Sequence, residues 1–230
     1  MKKLAICCGL CLLATSAFAA LTKSEVKRLS EAATVLGELR DAPEGGIPED
    51  LWNKAQCVLV IPSLKKAAFV FGGEAGSGVM SCRRAARWSA PVFMHLAKGS
   101  FGLQIGAAEV DLVLLVMNQR GAEKLLQNKV SLGVDATLAA GPVGRSAHAA
   151  TDAQLTAEML SYSRSQGLFA GIDLSGGVLQ PDTEADARAY GPDLSARDIV
   201  EGTGRVAVPA AAQAFVRALA HDVKATRGQR

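Results

Sequence analysis

The stretch FVFGGEAGSGVM, Phe69 to Met80, sets four glycines between two apolar runs, and its reading decides between a nucleotide-binding α/β fold and a bent antiparallel sheet. Gly73 and Gly78 are spaced like the outer glycines of a phosphate loop, but Val79 and Met80 stand where that loop needs Lys and Ser/Thr. A dinucleotide fingerprint fails too, because Ser81 takes the third glycine position and strand, not helix, is expected beyond it. No nucleotide is expected here. Glycines in a strand-rich segment mark bends, bulges or close backbone approach instead.

Outward from this stretch the texture is uniform. CVLVIP (57–62), AAFVFGG (67–73), SGVMSC (77–82), APVFMHL (90–96), FGLQIGA (101–107) and EVDLVLLVMN (109–118) are short, rich in Val, Ile, Leu and Phe, and separated by Gly, Pro or charged turns. That spacing predicts an antiparallel meander rather than strands alternating with long helices. Further glycines at 99, 102, 106, 141, 144, 171, 176 and 177 suit a sheet that curls toward closure. Helices are expected over Leu21–Leu39, with Val26, Leu29, Ala33 and Leu36 as apolar stripe and Thr22 with Glu25 as capping box, and over 49–55, 121–129 and 208–225. Phe215, Val216, Leu219 and Val223 share one side of the last helix, and 182–200 reads as short helical turns. The expected fold is α+β: a single domain with a strongly curved, mostly antiparallel, barrel-like β-sheet on which N-terminal and C-terminal helices pack.

The chain opens MKKLAICCGLCLLATSAFAA, two lysines, a short apolar run and Ala17-Phe18-Ala19, the pattern of a secretory signal cleaved after Ala19. We expect a signal over 1–19 and one domain over 20–230, with its core over about 21–191 and a C-terminal helical extension over 192–230. The apolar run is shorter than the ~20 residues that span a bilayer. Removing Lys2 and Lys3 from the 25 basic residues leaves 23 against 22 acidic ones, a formal charge of +1, so general steering of nucleic acid is not expected. Cys57 and Cys82 remain after cleavage. They flank strand-like segments in what would be an oxidising compartment, and both a disulfide and two separate thiols stay open.

No catalytic or metal constellation is legible. His95, His148 and His221 lie far apart with no neighbour at metal-ligand spacing, neither cysteine has a CxxC partner, and GxSxG is absent. Neither metal nor cofactor is expected. What stands out is positive charge beside apolar sequence: Lys23, Lys27 and Arg28 near the start of the first helix, Lys65 and Lys66 in an expected turn, and Arg83, Arg84 and Arg87 in the turn before Trp88. If the two turns share one end of the meander, five cations gather beside a tryptophan as a site for an anionic headgroup. Ordinary solvated turns account for the same residues equally well.

In order along the chain, VLVIPSLKKAAFVFGGEAGSGV (58–79), WSAP (88–91), GSFGLQIGA (99–107), DLVLLVMN (111–118), LGVDATLAAGPVGR (132–145), LSYSRSQGLFAGIDLSG (160–176) and AYG (189–191) resemble the SYLF domain, or Ysc84 family, of lipid-binding proteins. The resemblance implies a non-enzymatic module. Eukaryotic members bind phosphoinositides and other anionic lipids, partly through a basic amphipathic N-terminal region, and some bind actin; bacterial members are mostly envelope proteins. Lys66 matches a lysine common after VIP in the family, and Leu21–Leu39 matches its lipid-contacting helix. Ala189 and Asp186 depart from the family's usual Tyr and Asn. The expectation is peripheral binding of anionic phospholipid by a periplasmic or secreted protein at the outer membrane, with an envelope protein as alternative partner.

Overall fold

The structure, a computed structural model, describes residues 20–41, 46–69, 71–85, 87–101, 106–127, 129–143, 156–165, 168–204 and 206–220. The expected signal (1–19), His148, His221 and Val223 lie outside the described residues. Helix α1 (Lys23–Asp41) and short α2 (Glu49–Lys54) precede strands β1 (Cys57–Phe69), β2 (Phe71–Arg84), β3 (Arg87–Trp88), β4 (Val92–Phe101) and β5 (Gly106–Val116). Then come α3 (Gln119–Gln127), β6 (Val130–Ser131), β7 (Leu138–Ala140), β8 (Met159–Ser165), β9 (Leu168–Gly171), β10 (Val178–Pro181), α4 (Thr183–Tyr190), α5 (Ala196–Glu201) and, after a 3-10 turn, α6 (Gln213–Ala220).

The strands form one strongly curved half-barrel in the order β6-β10-β4-β2-β1-β5-β8-β7, with β3 added to β2 and β9 to β8. The ladders are antiparallel except β7 on β8. This is the α+β single domain expected.

Strand β1 carries the core on both faces. Leu59 and Ile61 join one apolar cluster, with Leu112 and Leu114 of β5 and Ile199 of α5. Val58 and Val60 join the other, with Val113 and Leu115 of β5, Leu29 and Leu36 of α1 and Phe215 of α6. All four β1 side chains are fully buried, each contributing ~1.5–3 kcal/mol. Burial on both faces is why the strand reads as an unbroken apolar run. Cys57 and Cys82 are directly opposite in register and joined by a disulfide.

Two expectations need correction. The three strand segments 57–62, 67–73 and 77–82 are two long strands, and the hairpin reverses between Phe69 and Phe71, not at the glycines. The glycines serve a bulge. Val60 pairs with Val79 and Lys65 with Ala75, so β1 spends four residues where β2 spends three. The extra residue throws Ile61–Leu64 against β2, and a Cβ on Gly78 would stand 2.2 Å from the Val60 oxygen, one on Gly76 2.6 Å from Ile61 Cγ2. The apolar stripe of α1 is also rotated: Leu29, Ala32, Val35, Leu36 and Leu39 are buried while Val26 is 41% exposed. The rotation follows from Glu25, which turns inward to meet Arg188 at 2.7 Å.

Gly78→Ala should therefore destabilise the fold by about 1–3 kcal/mol through overpacking, with roughly 2–4 °C of Tm lost per kcal/mol. Gly99→Ala, in a strand with nothing within 4 Å of the added methyl, should leave Tm unchanged or slightly higher in the same calorimetric scan. Equal losses from both would contradict the bulge as the cause.

Candidate functional site

The β1 bulge builds one wall of a cleft. Pro62, which has no N–H to give a ladder, sits in the bulge, and Ser63 follows with φ of 51°, a conformation few non-glycine residues adopt. Its N–H donates to Asp111 Oδ1 at 3.0 Å, which holds the turn in place. Arg164 of β8 in turn grips Asp111 Oδ2 through Nε (2.9 Å) and Nη2 (2.6 Å) and pairs with Glu38 of α1. One guanidinium thus ties the bulge, the neighbouring strand and the first helix together.

Opposite this wall lie α1 and the N-terminus of α4. The Thr22 N–H donates to Glu25 Oε2 at 2.7 Å and the Glu25 N–H to the Thr22 hydroxyl at 3.3 Å, the capping box expected. Arg28, one turn on, donates to Asp182 Oδ2 at 3.0 Å and lies 5.4 Å from the Phe93 ring centroid. Asp182 caps α4 by accepting from the Ala185 N–H at 3.1 Å.

Between the walls, Ser77 of β2 and His95 of β4 are direct cross-strand partners. Ser77 Oγ is 2.7 Å from His95 Nδ1, and His95 Nε2 is 2.9 Å from Asp182 Oδ2. The cleft measures about 580 Å³ and is lined by Arg28, Lys65, Ser24, Ser63, Ser77, His95 and Glu31 among others. Two cations, an imidazole and three hydroxyls converge on one space, an arrangement able to hold an anion.

Beneath the cleft, Asp186 Oδ1 accepts from the Phe93 N–H at 2.9 Å, while Oδ2 is buried with no partner among the described residues. Burial, helped by the neighbouring Asp182 charge, pushes its carboxyl up to about 8, against the Phe93 hydrogen bond that opposes the shift. Tyr190 of the AYG motif donates its hydroxyl to the carbonyl of Pro91 in WSAP at 2.6 Å, so these two distant motifs close one seam.

Of the expected cations, only Arg28 and Lys65 line the cleft, while Arg84 and Arg87 are cross-strand partners elsewhere, beside Arg83 and Trp88. Lys23 and Lys27 lie on the exposed side of α1, where Lys27 meets Glu31 at 3.4 Å. Lys66 makes an ion pair with Glu74 at 3.6 Å and does not line the cleft. The five-cation cluster does not form. Lys65 and Lys66 lie within β1, not in a turn, and Arg83 is eight residues along β2 from the partner of Lys65, roughly 25 Å at strand rise. Arg83 is 4.4 Å from the Trp88 ring and donates to the Ala55 and Trp52 carbonyls. Arg84 faces Glu201 at 3.8 Å and Arg87 is exposed. Sequence reasoning missed Ser77, His95 and Asp182, which are 18 and 87 residues apart and carry no spacing signal. No group of three or more His, Cys, Asp or Glu among the described residues is placed to hold a metal.

Fold and cleft together define an α+β half-barrel with a polar, cation-bearing cleft beneath its N-terminal helix. Residues 97–222 match the Ysc84 family model, described as a Las17-binding protein actin regulator, and the chain belongs to that family. It is 34% identical over 177 residues to Protein YSC84 of Saccharomyces cerevisiae (75% of this chain, 37% of that protein). It is equally similar to LAS seventeen-binding protein 3 of the same yeast (34% over 177 residues, 75% and 38%). With the SH3 domain-containing YSC84-like protein 1 of Homo sapiens it shares 32% over 184 residues (78% and 54%). The chain spans about half the length, or less, of these relatives.

Asp186→Asn keeps the side-chain shape and removes the titration. The folded value near 8 exceeds the ordinary 3.8, so the folded protein keeps a proton that the unfolded chain releases. The contribution of Asp186 to stability is then full below about pH 4 and declines as pH rises to about 8. The Tm of Asp186→Asn minus that of wild type should grow across this range and level off above it; a flat difference in pH-resolved calorimetry would contradict the assignment.

Proposed function

We propose that this protein binds anionic phospholipid headgroups as a peripheral protein of the cell-envelope surface, in the periplasm or after secretion. The observation that carries the reading is the cleft, where Arg28, Lys65 and His95 converge with serine hydroxyls. Lys65 makes no ion pair with a described residue, and Arg28 lines the cleft while paired with Asp182. Phe69, Phe71 and Phe101 stand in one cross-strand row at the end of β1, β2 and β4, four residues beyond Lys65 along β1. Apolar residues at a sheet tip with cations a short step behind suit a lipid surface, where phosphates lie above the acyl boundary. The apolar stripe of α1 is spent on the core, which moves the expected contact from the helix face to the cleft and sheet end. Only Val26, between Lys23 and Lys27, remains as an exposed large apolar residue on that helix. The Cys57–Cys82 disulfide fits an oxidising compartment.

A second reading, an envelope module that binds another protein, is favoured by the family description, a Las17-binding protein, and by the name of one relative, LAS seventeen-binding protein 3. A pull-down from envelope extract whose recovery does not change with added lipid would support it.

Co-sedimentation with phosphatidylglycerol-containing vesicles decides between them. Binding should fall as salt rises. Lys65→Glu should weaken it by roughly thirtyfold, since each basic residue near an anionic surface contributes about 1 kcal/mol and reversal counts it twice. Arg87→Glu, at the far end of the hairpin, should change it less than twofold. Equal losses from both variants would remove the cleft from the reading.

A further inference from the structure

We propose that Ser77, His95 and Asp182 form a nucleophilic triad that hydrolyses carboxylic esters bearing a negative charge. The hydrogen-bond order is the one acyl transfer needs. Asp182 Oδ2, 2.9 Å from Nε2, accepts the Nε2–H, because the other tautomer would set a ring lone pair against a carboxylate. Nδ1 is then the basic nitrogen, and Ser77 Oγ at 2.7 Å donates to it. The ring nitrogens are exchanged relative to the serine-protease arrangement, but the roles are the same: one takes the proton and the other is held by a buried acid.

Asp182 is fixed from three sides, by the Ala185 N–H on Oδ1, Arg28 on Oδ2 and the imidazole. Arg28 shares the oxygen that holds the ring, so the role of Asp182 is to orient the imidazole. A cluster serving only to anchor α1 would be complete with Arg28 and Asp182. The imidazole instead extends it to a hydroxyl on the lining of an open cleft, with the His95 side chain 42% exposed.

In the acylation step Ser77 Oγ bonds to the ester carbon as its proton passes to Nδ1, and the carbonyl π pair moves to oxygen. Collapse of this tetrahedral species breaks the bond to the alcohol, which leaves with the Nδ1 proton. Water then attacks the acyl-Ser77 with Nδ1 again taking a proton, releasing the carboxylic acid and restoring the serine. Water is the only co-reactant. Lys65, in the same cleft without an ion pair to a described residue, supplies the positive charge that selects a negatively charged ester. That choice of substrate rests on the anion-binding reading above, whereas the triad does not.

The test treats the intact, disulfide-bonded protein with a fluorophosphonate probe and reads adducts by intact mass and peptide mapping. It also compares hydrolysis of 4-nitrophenyl butyrate with that of the 4-nitrophenyl half-ester of glutaric acid. A single adduct on Ser77 is expected, absent in Ser77→Ala and formed at least ~10²-fold more slowly in His95→Gln, with the charged half-ester hydrolysed faster. No adduct on folded wild type, an adduct on another serine, or equal labelling in His95→Gln overturns the triad. A neutral ester hydrolysed as fast as the charged one overturns the substrate class. Vesicle binding without labelling overturns the triad and leaves the lipid reading standing; labelling without vesicle binding does the reverse.

Discussion

The contact on which the rest of the structure depends is the pinned bulge of β1. Ser63 adopts a backbone conformation costly for a residue with a side chain, and it does so because its N–H is held by Asp111, which is itself gripped by Arg164. The displaced residues press on β2, and only glycines at 76 and 78 leave them room. The bulge also sets the side on which Lys65 emerges. An unbulged strand would shift every later side chain to the opposite face. Lys65 would then exchange faces with Leu64, which belongs to the core, so the placement of the cleft and the packing of the core share one cause.

The second layer of organisation is electrostatic. Glu25 with Arg188, Arg28 with Asp182 and His95, and Glu38 with Arg164 fasten α1 at three points along its length to α4, the sheet and β8. Glu25, Arg28, Asp182 and Arg164 are largely shielded from solvent, where removing one partner leaves an uncompensated charge and costs more than the pair contributes. The buried Asp186 belongs to the same region but has no cation to itself, and it stays protonated near neutral pH instead. A helix that reads as a candidate lipid-contacting element is thereby committed to the core, and its N-terminal turn becomes a wall of the cleft.

Several features were legible residue by residue. The unbroken CVLVI run announces a strand covered on both faces, and Val58–Ile61 are buried on both. Thr22 and Glu25 announce a helix start, and the hydrogen bonds are there. The glycines of 72–78 read as marks of a bend, a bulge or a close backbone approach, and which of these applies was not legible, because the atoms that need the space belong to Ile61 and Leu64 on the neighbouring strand. The stripe of α1 was misread by one position, since periodicity counts apolar residues only and Glu25 faces inward to meet Arg188, 163 residues away.

By itself, the sequence determined the α+β class, the family, the capped first helix and the absence of a phosphate loop, all of which rest on neighbours within a few positions or on motifs read in order. Only the tertiary structure decided which cations meet and what they meet. Lys65 and Arg83 read as partners on adjoining turns, but a long hairpin carries them to opposite ends. Ser77, His95 and Asp182, unconnected in the sequence, were joined by a strand register and a helix cap. Side-chain chemistry acts over about 3 Å, whereas sequence spacing reports distance only within one helix or strand, so a cleft made by five elements has no local signature.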